Sequence, residues 1–369
     1  MRPMKIAYIG LKGIPFCGGI EKYTEELGSR LAIKGHHIIV YTMKHYATPN
    51  SLYKGMKIKT VPTIKTKSSE KIIASFMAII YQCIEKDIDI VHLHAFGPSM
   101  FGFLPKILGR KVVVQGHGLE WKRAKWKNAA KLFLKITEFP SVKFPHAITV
   151  VSKAQKKYLK ERYGLKSTYI PTGVNPPTLQ PPYLIKQKYG LTGSDYILFA
   201  ARLVEEKGAH YLIDAYKKLK TNIKLVIAGD DKYEQNYKNA LYESAKDCRN
   251  IIFTGFATGR TLQELFSNCC LFVLPSEIEG LPTAVLEAMS YGKCCLASDI
   301  DENIEALADY GYTFKNKDVN SLREKIETLL SQPSLVNEKG TSAAQYVLKN
   351  FSWDDISSKF EKLYENLLS

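Results

Sequence analysis

Short, unbroken apolar runs recur along the chain, each followed by a turn and then by a helical repeat. The first are Lys5–Ile9, His37–Tyr41, Ile88–His94, Lys111–Gln115 and Ala147–Ser152. A run from Tyr196 up to Arg202 follows, then Lys224–Asp230, Ile251–Phe256 and Leu271–Leu274. Apolar side chains in both alternate positions suit strands covered on both faces, the condition of a parallel sheet with helices above and below. Between the runs the apolar period lengthens. Over Ile20–Ile33, Tyr23, Leu27 and Leu31 share one face, and Gly35 marks the stop. Helices are likewise predicted over 69–85, around 98–108, over 153–162, from near Gly208, over Thr283–Ser290 and over Trp353–Leu368. This alternation predicts an α/β protein with doubly wound parallel sheets.

Length then sets the number of cores. A chain of 369 residues, 45% hydrophobic, suits two domains of ordinary size. The break falls at Tyr169–Pro177, with Pro181 and Pro182 just beyond. We expect a first domain over 1–175, a linker over 176–190, a second domain over 191–350 and a closing segment over 351–369.

The most informative stretch is Leu271–Gly292. A buried strand leads through a polar turn, Pro275–Gly280, to Pro282 at the first helical position and a helix over Thr283–Ser290. Free backbone N–H groups and the helix dipole at such a junction attract phosphate. Glu279 and Glu287 frame it. Each carboxylate can accept two hydroxyl hydrogen bonds, as a sugar diol offers, or can be an ordinary acid near a helix start. Upstream, Arg202 and Lys207 stand five apart on a strand-to-helix loop, where a forked and a point cation can clamp a diphosphate. His117 lies between Gly116 and Gly118 just after a strand, at the edge where parallel sheets bind ligands. Gly18 and Gly19 open the first long helix, where backbone can approach an anion. Their spacing is not G-x-G-x-x-G and no acid ends the next strand, which argues against a nicotinamide dinucleotide.

Glu279 to Glu287 resembles the E-x7-E signature of the family 4 glycosyltransferases, and Arg202 with Lys207 is similar to that family's R-x4-K motif. Ile170-Pro171-Thr172-Gly173-Val174 resembles a further segment, with Thr172 where Asn is usual. The resemblance covers nearly the whole chain. It implies the GT-B fold, two Rossmann-like domains facing across a cleft, with the last helix crossing back to the first. It implies a nucleotide diphosphate sugar as donor and transfer with retention. Glu279 and His117 would then meet the donor sugar, Glu287 the ribose, and Gly280, Leu281, Pro282 and Thr283 would offer backbone to phosphate or sugar. Arg202 and Lys207 would neutralise the departing diphosphate, and Phe256 would open the loop at the nucleobase. No cofactor or metal is expected, and Asp230-Asp231 reads as a turn or cap. Ile9, Gly10, Gly13-Ile14-Pro15, Gly18-Gly19 and Glu21 further resemble bacterial enzymes of surface-polysaccharide assembly, some of them rhamnosyltransferases, which act on lipid-linked glycans.

Charge adds a partner class. The net charge is +16, and residues 1–180 hold 30 Lys/Arg against 10 Asp/Glu. Such a half can face an anionic membrane, a phosphorylated acceptor or nucleic acid. No nucleic-acid motif accompanies it, so we expect no nucleic-acid partner. Trp121–Lys135 interleaves aromatic and basic residues. On a helix Trp126, Ala129, Ala130, Phe133 and Leu134 share a face among lysines such as Lys125 and Lys127, which suits a membrane interface or simple packing on the domain. No apolar stretch is long enough to span a bilayer. The chain starts almost at once into a strand, and its seven cysteines form no zinc spacing. We therefore expect reduced thiols and a cytoplasmic protein, peripheral at most on the inner membrane face. A soluble acceptor is the alternative to a lipid-linked one.

Overall fold

The computed structural model describes residues 2–15, 18–48, 50–64, 70–122 and 128–369. Trp126, Lys125 and Lys127 of the expected interfacial helix, and Cys17, lie outside them. The strands are β1 (Lys5–Ile9), β2 (His37–Met43), β3 (Leu52–Tyr53), β4 (Met56–Val61), β5 (Ile90–His94), β6 (Lys111–Gly116), β7 (Ala147–Val150) and β8 (Thr168–Tyr169). Then come β9 (Tyr196–Ala200), β10 (Lys224–Ala228), β11 (Ile251–Gly255), β12 (Leu271–Leu274), β13 (Cys295–Ser298) and β14 (Tyr312–Phe314). The helices begin with α1 (Gly19–Ile33), α2 (Glu70–Ile84), α3 (Phe103–Ile107), α4 (Asn128–Lys143), α5 (Lys153–Tyr163), α6 (Tyr183–Tyr189) and α7 (Ala209–Tyr216). They end with α8 (Gln235–Ala245), α9 (Gly259–Asn268), α10 (Thr283–Ser290), α11 (Asp301–Leu307), α12 (Val319–Leu330), α13 (Pro333–Asn350) and α14 (Trp353–Leu368).

The chain forms two compact units, Met1–Gly173 with Trp353–Ser369, and Val174–Ser352. In the first the strand order is β3-β4-β2-β1-β5-β6-β7-β8, parallel except for the β3–β4 pair. One face of this sheet buries Ala7, Ile9, Val91, Leu93, Val112 and Val114 against Ala78 and Ile79 of α2 and Val142 of α4. Strand side chains alternate, so Tyr8, His92 and His94 point to the opposite face. There His92 and Tyr8 meet Phe360 and Tyr364 of α14. Charged pairs Arg30–Asp354 (2.7 Å) and Lys34–Glu361 (2.6 Å) tie α14 to α1. Gly173 admits this helix closely, since a Cβ there would stand 2.7 Å from the Trp353 ring.

The second unit has the order β11-β10-β9-β12-β13-β14, all parallel. Within the segment expected to be a linker, α6 folds onto α9. Leu184 and Ile185 donate their N–H groups to the buried Glu264 carboxylate, at 2.6 and 3.1 Å.

Two local expectations change. The helix expected over 98–108 is a 3₁₀ turn at Pro98–Phe101 followed by the short α3. Gly97 and Gly102 flank that turn, and glycine is a poor helix former. The second is β4, which no apolar run announced. It lies next to the sheet's edge with Met56 and Ile58 buried and Lys57 exposed, so its pattern alternates.

Candidate functional site

The strand order of the second unit reverses between β9 and β12, neighbours in space although far apart in sequence. Crevices form at such points, beyond the carboxyl ends of the strands. The Arg202–Lys207 loop leaves β9 there, and the Pro275–Pro282 turn leaves β12. Two contacts lock them together. Gly208, at φ +70, passes so close that a Cβ would lie 2.0 Å from the Pro275 carbonyl oxygen. The Glu277 N–H donates to the Glu206 carbonyl at 2.9 Å.

This joins the two sequence motifs through their side chains. Lys207 Nζ lies 2.5 Å from Glu279 Oε1, with the side chains only 17% and 7% exposed. Ser276 Oγ donates to the same oxygen at 2.7 Å. Ser298 Oγ in turn donates to the Ser276 carbonyl, and buried Asn303 donates to Ser298 Oγ at 2.9 Å. The acid is therefore aimed by a connected polar network. Arg202 is about half exposed and lies 3.5 Å from Asp231 and 3.6 Å from Glu206. Its guanidinium is held between carboxylates at separations too long for good hydrogen bonds.

Beyond Glu279, Leu281 and Pro282 are buried while Thr283 and Glu287 on α10 are exposed. Pro282 stands at the N-cap rather than at the first helical position, because its carbonyl accepts from Val285 (3.0 Å) and Leu286 (3.2 Å). The N–H groups of Thr283 and Ala284 precede the first intrahelical bond, the position from which a helix binds anions. Phe256 is exposed past β11, with β10 and β9 lying between it and β12. It is not brought beside Glu279.

Glu206, Ser276 and Glu277, which no sequence motif marks, also belong to this region, together with Asp231 of the expected turn. Glu277 accepts from Tyr211 (2.8 Å) and pairs with Lys317 (2.7 Å). Burial works to raise its pKa, but the bonds from Lys317 and Tyr211 outweigh it and hold the carboxyl below its usual value. Asp230 and Asp231 close a turn, with Asp231 N–H on Asp230 (2.8 Å) and Tyr233 N–H on Asp231 (2.9 Å). The hydrogen bond from Lys238 keeps Asp230 below the ordinary carboxylate pKa.

In the first unit His117 follows β6 and is half-buried. Its Nε2 lies 2.9 Å from Nδ1 of His94, whose Nε2 lies 3.0 Å from Thr24 Oγ1. The Thr24 hydroxyl gives its proton to the Ile20 carbonyl at 2.8 Å. Only its lone pairs remain for His94, so His94 carries its proton on Nε2. Burial, reinforced by the neighbouring His92 and His117, drives the His94 pKa well below its usual value and keeps that ring neutral. Its bare Nδ1 then accepts from His117 Nε2–H. The network thereby assigns the His117 tautomer, protonated at Nε2 with Nδ1 as the lone-pair nitrogen when neutral. Tyr23 meets the same ring edge-on at 4.9 Å, backed by Trp353 at 5.1 Å. Gly18 sits where a Cβ would meet Glu21 Oε2 at 2.1 Å, while Gly19 faces open space. Glu21 is a brace for this loop, accepting the Lys12 N–H at 2.9 Å.

Comparison with known proteins gives this geometry its context. The model for glycosyltransferase family 4 matches residues 17–177, and the model for glycosyl transferases group 1 matches residues 184–346. An α-1,3-N-acetylgalactosaminyltransferase of Campylobacter jejuni, acting on N,N'-diacetylbacillosaminyl-diphospho-undecaprenol, is 27% identical over 76% of this chain and 78% of its own. Sucrose-phosphate synthase from Thermosynechococcus elongatus superposes with a TM-score of 0.86 at 20% identity, covering 99% of both chains. Anabaena HepE, solved in complex with UDP-glucose, gives 0.81 at 16% identity over 98% of this chain and 100% of that one. The two models divide the chain at its own domain break and leave little of it unmatched, and the motifs joined at Lys207 and Glu279 lie within the second: the chain belongs to the family 4 glycosyltransferases, with the GT-B fold.

Proposed function

We propose that this protein transfers a hexose from a nucleotide diphosphate sugar, with retention, to a lipid-linked glycan in surface-polysaccharide synthesis at the cytoplasmic face of a membrane. The observation that carries the donor half is the Lys207–Glu279–Ser276 junction, with Arg202 on the same loop as Lys207 and α10 following Glu279 in the chain. Negative charge develops on the departing diphosphate, so fixed cations and N–H donors at that point lower the barrier. Arg202, Lys207 and the N–H groups of Thr283 and Ala284 supply them. In this reading Lys207 is shared between the phosphate and Glu279, leaving Glu279 oriented to accept from sugar hydroxyls. Glu287 meets the ribose. The leaving phosphate itself takes the acceptor's proton from the same face, so no side chain serves as general base. The cations do the work of a metal, and none is required.

The acceptor half rests on the Campylobacter relative, whose acceptor is a diphospho-undecaprenol glycan, and on the basic first half of the sequence. Thermal stabilisation by a panel of nucleotide diphosphates and their sugars tests the donor. A selective shift with one nucleotide, abolished by Arg202→Ala, is expected, and the absence of any shift would remove the reading. Turnover should be unchanged by EDTA, whereas loss that added Mg²⁺ restores would return a metal to the mechanism.

A further inference from the structure

Helix α4 is packed the wrong way round for a helix in water. Its buried face carries Thr137, Glu138 and Ser141 with Leu134 and Val142. Its outward face carries Leu132, Phe133, Ile136 and Phe139, which are 60, 45, 61 and 52% exposed. The orientation is fixed from within. Glu138 accepts from Tyr158 and Tyr163, each at 2.7 Å, and from Trp121 at 3.1 Å, while Ser141 Oγ bonds the Phe96 carbonyl. Rolling the helix to hide its apolar face would take a carboxylate away from three donors. The face expected from sequence is corrected accordingly, for Leu134 points into the domain.

Charge identifies what covers the outward face. Lys131 and Lys135 line one edge of it, exposed Lys143 falls on it at the helix end, Phe144 continues it, and between Lys106 and Lys143 the chain holds ten Lys/Arg against two acids. Of those acids Glu138 is buried. An apolar stripe bordered by lysines matches the boundary between acyl chains and anionic headgroups. A second copy of the chain would bring the same lysines against each other. We propose that the outward face of α4 docks on an anionic phospholipid bilayer, the side chains of Leu132, Phe133, Ile136 and Phe139 entering the interface. This deepens the lipid-linked reading above. It is tested without any sugar donor, so its failure and that of the transferase reading are separable.

The test is flotation of the full chain with vesicles of phosphatidylglycerol and phosphatidylcholine, compared with phosphatidylcholine alone. Binding at least tenfold better to the anionic vesicles, falling as salt is raised, is expected. Ile136→Ser with Phe139→Ser should reduce it at least tenfold with an unchanged Tm, since both residues are exposed. Lys131→Glu with Lys135→Glu should reduce it by about twentyfold or more, each lysine near such a surface being worth about fivefold. Leu179→Ser, an equally exposed apolar position of the second unit, should have no effect. Equal binding to both vesicles, unaltered binding by either double variant, or a dimer in sedimentation that Ile136→Ser with Phe139→Ser dissociates would overturn the proposal.

Discussion

At the scale of single residues, the chemistry depends on a few positions whose neighbours leave no choice. Glu279 is held with Lys207 and Ser276 on one oxygen. In the proposed role Glu279→Gln keeps the shape but weakens the link to Lys207 and the acceptance from sugar, so turnover should fall about a hundredfold, the scale of one lost transition-state contact. Initial rates with the nucleotide sugar check this, and a wild-type rate would remove Glu279 from the site. Gly208 is constrained differently. A side chain there is strained by φ and collides with Pro275, so Gly208→Ala should cost about 2–4 kcal/mol. Urea unfolding would show it, together with loss of nucleotide-induced stabilisation as the two loops part. Neither constraint is visible in sequence, where Gly208 reads simply as a helix start.

Elements position these residues. The Tyr23 ring that meets His117 edge-on is supported by Trp353 and Phe360 of α14, the last helix of the chain. Phe360 is fully buried, and Phe360→Ala should destabilise the first unit by about 3–5 kcal/mol, as emptied aromatic sites do. Thermal unfolding measures this. Were the loss below about 1 kcal/mol, α14 would not be part of the core of that unit. Helix α4 shows the opposite case. Its hydrophobic pattern is legible in sequence, but which face turns inward was decided by Glu138 and its three donors, residues too far apart along the chain to be paired by period.

At the scale of the molecule, the first unit encloses two imidazoles that burial keeps neutral. His92 and His94 are fully buried. Burial, with His117 nearby, lowers the His92 pKa from 6.5 to about 3. A histidine held neutral when folded binds more protons when unfolded. The contribution of His92 to stability is thus intact above pH 6.5 and is lost as pH falls from there towards 3. The slope is about 1.4 kcal/mol per pH unit for each such histidine. Denaturant midpoints across pH 7 to 4.5 check it. His92→Phe should remove one proton's share of the slope even though losing the 2.5 Å hydrogen bond between His92 Nδ1 and the Tyr364 hydroxyl lowers stability throughout, and an unaltered slope would show that His92 titrates normally in the fold.

The sequence by itself determined the fold class, most strand and helix positions, the two motifs and the family resemblance. Unbroken apolar runs, helical periods and fixed motif spacings are local properties, and β1, β12, α10 and α14 occupy the residues read for them. What only the tertiary structure decided is what crosses the chain. The adjacency of β9 and β12 brings Lys207 to Glu279 from 72 residues away. The Thr24–His94–His117 chain sets a tautomer across three separate elements. A buried carboxylate turns an apolar helix face outward. Hydrogen-bond partners and burial depend on which segments meet in space, and no period along the chain records that.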